Sequence, residues 1–113
     1  MNIREIIVAK SNMLRDVAEL GPGKASEELV ELASLLSSLN AEIADKQWIF
    51  NTKKQMCLDE HKSAAKAKIY AEASQEWKDY IDRVMQKEAV EELLRAVKYY
   101  LRSAEAEYRE FSK

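Results

Sequence analysis

Apolar residues recur at spacings of three and four along almost the whole chain, the spacing that places side chains on one face of a helix. In the first twenty residues these spacings place seven apolar side chains on one face of a helix: Ile3, Ile6, Ile7, Met13, Leu14, Val17 and Leu20. Gly21-Pro22-Gly23 follows. Gly21 can adopt a left-handed conformation, and the proline after it cannot continue a helix. The pattern therefore predicts a short helix within residues 1–20 and a turn at 21–23.

A second helix is predicted to begin at Ser26, a good N-cap, with Glu27 and Glu28 in the first turn, where carboxylates favour the helix dipole. Its apolar stripe is a regular heptad seam as far as Ile43 and then admits polar residues: Leu29, Leu32, Leu36, Leu39, Ile43, Lys46, Phe50, Lys53 and Cys57. Such a seam packs helix against helix. Trp48 and Ile49 lie off the seam, and we expect a second packing partner to cover them rather than an exposed binding patch.

The middle of the chain is open to two geometries. The stretch 24–113 contains no Gly or Pro, so no strong helix breaker marks a bend. The stripe keeps its phase through Cys57, Ala64, Ala67 and Ala71, which favours one helix from Ser26 to about Met85. Alternatively, the chain bends near Leu58 to Ser63 and returns as a hairpin. The candidate N-caps for that bend are Thr52, Asp59 and Ser63.

The last stripe is an uninterrupted heptad seam of seven residues: Val90, Leu94, Val97, Leu101, Ala104, Tyr108 and Phe111. It is offset by about two residues from the preceding stripe, which ends at Val84 and Met85. Either a stutter or a turn at Gln86 to Glu88 would absorb the offset. We favour the turn, which would lay residues 89–112 antiparallel on the second helix.

These patterns predict an all-α fold in one domain, 1–113, in which a long helical region over 24–113 folds back as a helical hairpin or bundle. As a single rod that region would be about 135 Å long, so it must fold back or find partners. The seams carry more apolar area than one short chain is expected to hide, which predicts a homo-oligomer. The residues expected to mediate self-association are Leu29, Leu32, Leu36, Leu39, Ile43, Leu94, Val97 and Leu101.

Composition narrows the class of protein. Hydrophobic residues make up 47% and charged residues 34%, which excludes both disorder and a membrane protein. The formal net charge is −2, and neither half of the chain is strongly charged, so bulk attraction to nucleic acid or to an anionic membrane is not expected. The sequence begins without a secretory signal, and its single cysteine, Cys57, suits a reducing compartment. We expect a cytoplasmic protein.

Chemistry-bearing residues are few. Cys57 and His61 are four apart, so on a helix they could supply half of a zinc site, but the chain has no other Cys or His to complete it. A surface histidine beside a small buried thiol is the simpler interpretation. The sequence has no Glu-x-x-His pair and no Gly-rich phosphate loop. We therefore predict no catalytic residue, no metal and no cofactor, and expect that the protein is not an enzyme.

A modest cluster of cations supplies an alternative function. Six residues in the middle of the chain could bind phosphate and stack on a base: Lys53, Lys54, Lys62, Lys66, Lys68 and Tyr70. Lys62, Lys66 and Tyr70 follow one another at helical spacing. A solvated lysine face with half-buried tyrosines is the favoured interpretation, and a nucleic-acid or nucleotide-binding protein is the alternative.

Two stretches rich in Ala, Glu and Lys carry a resemblance: residues 27–47, EELVELASLLSSLNAEIADKQ, and residues 64–77, AAKAKIYAEASQEW. In helix composition they resemble the small helical proteins common in phage and prophage genomes. The resemblance implies a protein of the bacterial host cytoplasm that works by binding a host or phage partner. Examples are an accessory to phage DNA metabolism and a protein that neutralises a host defence. The resemblance assigns no function to any particular residue of this chain.

Overall fold

The computed structural model describes residues 2–111, the last of them through its backbone. Its regular elements are α1 (Ile3–Met13), a 3₁₀ turn (Leu14–Asp16), α2 (Val17–Glu60), α3 (Ala64–Glu72) and α4 (Gln75–Phe111). The all-α prediction is therefore confirmed for this part of the chain. Within the same residues, no helix is both long enough and apolar enough to cross a membrane.

The predicted turn at 21–23 is present only at Gly21, and the predicted start of the second helix at Ser26 is wrong. Gly21 has φ 81° and ψ 161° and is the one non-helical residue inside α2. Helical geometry resumes at Pro22, four residues before Ser26. A proline suits the first helical position because its φ is already helical and its missing N–H would have had no partner there. Ser26 consequently lies inside the helix.

The favoured unbroken helix from Ser26 to Met85 is also wrong, because the chain bends at residues 61–63. Here α2 ends at Glu60, and the Ser63 side chain caps α3 by accepting a hydrogen bond from the Lys66 N–H at 3.4 Å. Thr52, another candidate cap, instead donates its hydroxyl to the Trp48 carbonyl within α2. The bend lets Ala67 and Ala71 of α3 pack into one cluster with Cys57 of α2, contacts that a straight helix could not make.

The favoured turn at Gln86 to Glu88 does not occur, since α4 continues through these residues. Its predecessor α3 ends earlier, at Glu72. Ser74 lies just before α4, and its hydroxyl donates to the Ala71 carbonyl at 2.5 Å and accepts from the Trp77 N–H. The offset between the stripes is absorbed within the helix. Met85 turns outward and is 63% exposed, while Lys87 is half-buried and continues the inward face towards Val90.

The chain divides into two compact units, and α2 and α4 each contribute to both. The first unit comprises Met1–Ser37 and Glu88–Lys113, and the second comprises Ser38–Lys87. The buried apolar residues of the first unit are Leu14, Ala25, Leu32, Val90, Leu94 and Val97. Those of the second are Leu39, Phe50, Cys57, Ala67 and Ala71. Both predicted seams thus face inward over most of their length, although Tyr108 is 74% exposed and the Phe111 side chain lies outside the described residues.

Three aromatic rings bring α2 and α4 together in the second unit. The Phe50 ring centroid lies 4.8 Å from that of Trp77 and 6.2 Å from that of Tyr80, and the latter two are 5.8 Å apart. Nearby, Arg83 Nε lies 2.9 Å from Glu42 Oε2. That pair is an ion pair without a well-aligned hydrogen bond, because neither atom meets hydrogen-bond geometry. The contacts pack both helices around Phe50.

Candidate protein-binding surface

The expectation that Trp48 and Ile49 are covered is wrong. The Trp48 side chain is 71% exposed, Ile49 is 41% exposed, and Met56, two turns further along α2, is 49% exposed. The reason is the helical repeat: Phe50 points into the core, and a residue two positions away lies about 200° around the helix. The alternative interpretation, an exposed apolar patch, describes this part of α2.

The exposed apolar residues form one side of a shallow groove of about 230 Å³. We refer to it as the Trp48 groove, and its lining residues are Trp48, Ile49, Thr52, Lys53, Met56 and Glu76. Because Glu76 belongs to the first turn of α4, the groove lies between two helices of the second unit. It therefore combines an apolar floor with a cation and a carboxylate at its edges.

A larger hollow of about 430 Å³ lies in the first unit, lined by Pro22, Ser26, Leu101, Ala104, Glu105 and Tyr108. Tyr108 is its one strongly exposed large apolar side chain, while Ser26 and Ala104 are small. Binding surfaces draw most of their energy from a few large side chains, with Trp prominent among them. The smaller Trp48 groove, with Trp, Ile and Met together, is the better candidate.

The predicted cation cluster is split by the bend at residues 61–63. Lys53 and Lys54 lie on α2, Lys62 lies in the bend, and Lys66, Lys68 and Tyr70 lie on α3. Lys53 is half-buried and lines the Trp48 groove, whereas the other four lysines are exposed and Tyr70 is 51% exposed. The predicted single helix face through Lys62, Lys66 and Tyr70 is therefore interrupted between its first two members.

Sequence reasoning missed one contact near these lysines. The His61 and Tyr70 rings stack almost in parallel, with centroids 4.3 Å apart and planes 2° apart. The stack depends on the bend, because His61 follows α2 while Tyr70 lies on α3. A nine-residue separation gives no helical-face signal that would have suggested it.

The residues predicted to mediate self-association lie against the rest of the chain. Leu32, Leu39, Leu94 and Val97 are buried, and Leu29, Leu36, Ile43 and Leu101 are half-buried. Self-association through these eight residues remains a prediction, and for the four buried ones it would require their present packing to open. The exposed large apolar residues lie elsewhere, most of them outside the heptad seams.

Cys57 and His61 lie in different environments. The Cys57 thiol is 4% exposed and packs with Phe50, Ala67 and Ala71, whereas His61 stacks on Tyr70. The His61 backbone N–H donates to the Cys57 carbonyl at 2.9 Å. Among the residues that the structure describes, no group of three or more His, Cys, Asp and Glu side chains is placed to hold a metal ion.

Comparison with protein-family models, with curated proteins and with solved structures finds no match to this chain. The surfaces described above are therefore the basis for assigning a function.

Proposed function

We propose that this is a non-enzymatic binding protein of a phage or prophage, which acts in the bacterial cytoplasm by inhibiting or sequestering a partner protein. The observation that carries the proposal is the exposure of Trp48 beside Ile49 and Met56 in one groove. Surface tryptophans at the centre of an apolar patch commonly supply much of the binding energy of an interface. Helix composition, through its resemblance to small phage proteins, supports the setting.

The partner segment that best fits the Trp48 groove is an amphipathic helix. Apolar anchors at a spacing of three or four residues along such a helix can lie along a groove beside α2. Met56 adds an unbranched, flexible side chain that can adjust to the anchors. The charges at the edges, Lys53 and Glu76, favour a partner helix with an acid and a base placed to meet them.

We infer a helical hairpin as the architecture that presents this groove. Within the second unit, Phe50 contacts Trp77 and Glu42 pairs with Arg83, so the residue number rises along α4 as it falls along α2. Two helices with this relation run antiparallel, and α3 then forms the end of the hairpin. Self-association belongs to the same proposal, as a way to present more than one groove in an assembly.

Affinity capture from a bacterial lysate tests the proposal when wild type is compared with two variants. Trp48→Ala removes the anchor. Tyr99→Ala is the control, because Tyr99 is also an exposed aromatic residue, at 75%, but lines none of the grooves described. We expect a captured protein to be retained by wild type and Tyr99→Ala. With that protein purified, Trp48→Ala should weaken binding about 30-fold or more, the loss typical of a central anchor. Equal binding by all three would contradict the proposal.

The second candidate is a nucleic-acid or nucleotide-binding accessory protein. Its support is the exposure of Lys54, Lys62, Lys66 and Lys68, and a Tyr70 ring that is stacked on His61 yet 51% exposed. Binding of a labelled single-stranded oligonucleotide should then weaken steeply with salt. Lys62→Glu/Lys66→Glu should abolish it, while Trp48→Ala should leave it unchanged. Oligonucleotide binding that changes neither with salt concentration nor in the Lys62→Glu/Lys66→Glu variant would eliminate this candidate.

A further inference from the structure

A carboxylate is buried on the inward face of α2 near its start. Glu28 is 2% exposed and lies between Ala25 and Leu32, each 0% exposed. Lys10 of α1 neutralises it, with Nζ 2.8 Å from Glu28 Oε2, and the same Nζ lies 2.5 Å from Oε2 of the exposed Glu31. A buried carboxylate is costly without a cation, so this part of α2 is a site that requires a positive charge beside Glu28.

The helix that supplies the cation has no fully buried side chain of its own. Its inward residues Ile3, Ile6 and Ile7 are half-buried. Between α1 and the site lies Gly21, in a conformation that essentially only glycine adopts. The Lys10 ion pairs and the chain direction that Gly21 allows therefore both contribute to the docking of α1.

We propose that the site around Glu28 is exchangeable between copies, so that α1 of a second copy of this chain docks on it and produces a domain-swapped dimer. The occupant is specified by charge complementarity: a helix must bring a cation to Glu28 and Glu31, and α1 is known to do so. Exchange preserves each of these contacts and changes only the path of the connecting residues. It does not use the Trp48 groove, so the two proposals can fail separately.

The proposal gives self-association a route that leaves both heptad seams packed. Monomer and dimer share the same α1 contacts, so the dimer is opposed chiefly by the entropy of association. Any strain in the closed connector shifts the balance towards exchange. The dimer fraction should accordingly rise with protein concentration, and with substitutions that disfavour the positive φ of Gly21.

The first test uses a matched pair of glycine variants. Gly21→Ala places a side chain at φ 81°, which is strained, whereas Gly23→Ala is a helical position with open space around the added Cβ. At equal concentration, native mass spectrometry should show a dimer fraction raised about fivefold or more in Gly21→Ala, and unchanged in Gly23→Ala. Adding Lys10→Glu to Gly21→Ala should remove the dimer. A Gly21→Ala protein that remains monomeric would overturn the proposal.

The second test mixes two variants whose charges are reversed on opposite sides of the site. Lys10→Glu and Glu28→Lys/Glu31→Lys each place like charges together, whether α1 docks on its own chain or on a second copy of the same variant. In the mixture, each α1 meets an opposite charge only on the other chain. We expect a mixed dimer carrying one chain of each variant, identified by isotope labelling of one of them. Helicity of each variant is measured first, and folded variants that form no mixed dimer would overturn the proposal.

Discussion

The Phe50 and Trp77 rings lie 4.8 Å apart between centroids, with their planes tilted by 48°, and join α2 to α4. Phe50 is 8% exposed and also packs with Cys57, Ala67 and Ala71. We predict that Phe50→Ala lowers the free energy of unfolding by about 3–5 kcal/mol, because it removes a buried ring together with its contacts to Trp77 and Tyr80 and leaves a cavity. Urea denaturation followed by circular dichroism measures the change.

The matched control for this prediction is Trp48→Ala, two residues away on the same helix. Trp48 is 71% exposed, so its removal should change the free energy of unfolding by less than about 0.5 kcal/mol. The pair separates stability from binding, since Phe50 belongs to the core and Trp48 to the groove. Similar losses in both variants would show that Trp48 also supports the fold.

Much of the fold follows from the helical period. Leu32, Leu39, Val90 and Val97 are the residues that a three- and four-residue spacing places inward, and each is 0% exposed. The position of the bend does not follow in the same way. Ser63 is a candidate N-cap, but the alanines and lysines after it favour helix whether the helix continues or restarts, so the sequence leaves both geometries open. In the folded chain the Ser63 cap forms, and Ala67 and Ala71 pack with Phe50.

The candidate site was harder to predict than the fold. Periodicity shows that Trp48 is off the seam, but it does not show whether another helix covers that side. The pairing of Lys10 with Glu28 joins residues 18 apart across a glycine break, and no spacing rule links them. Contacts of this kind depend on the direction in which α1 returns, which only the folded chain defines.

The Lys10 and Glu28 pair should behave as a coupled unit. Lys10→Met leaves the buried Glu28 carboxylate without its cation, and we predict a loss of up to about 3 kcal/mol in the stability of the docked α1. Lys10→Met/Glu28→Met replaces both charges by apolar groups and should recover most of that loss. Hydrogen exchange of the α1 amides measures docking directly. Additive losses in the double variant would contradict the coupling.

The pairing of Lys10 with Glu31 predicts a dependence on acid. The Lys10 hydrogen bond, with the attraction of its charge, lowers the pKa of Glu31 below 4.5. A carboxylate with a lowered folded pKa adds stability above its unfolded value, and that stability is lost as the pH falls through the folded pKa. We therefore expect Glu31→Gln to weaken α1 docking above pH 4.5 and to have progressively less effect below it. In a Lys10→Met background, the same substitution should show no such pH dependence.

The contribution of Lys10 to stability is lost at high pH, whereas that of Glu31 is lost at low pH. Burial by itself lowers the pKa of Lys10, but hydrogen bonds to Glu28 and Glu31 outweigh it and raise the pKa above 10.5. A cation with a raised folded pKa stabilises fully below the unfolded value, so this contribution is lost only as the pH rises above 10.5 through the folded pKa. A fall in the protection of α1 amides well below that pH, after correction for the base-catalysed rise in intrinsic exchange, would contradict the assignment.

The two tryptophans should differ in their access to solvent. Trp77→Phe leaves Trp48, which is 71% exposed, whereas Trp48→Phe leaves Trp77, which packs against Phe50. We expect fluorescence of the Trp77→Phe protein to lie at longer wavelength and to be quenched several-fold more strongly by acrylamide, with circular dichroism confirming that both variants are folded. Because Trp48 lines the groove, a bound partner helix should shift its emission to shorter wavelength and protect it from acrylamide. The Trp48→Phe protein should show neither change, and a partner that altered Trp77 alone would bind somewhere other than the Trp48 groove.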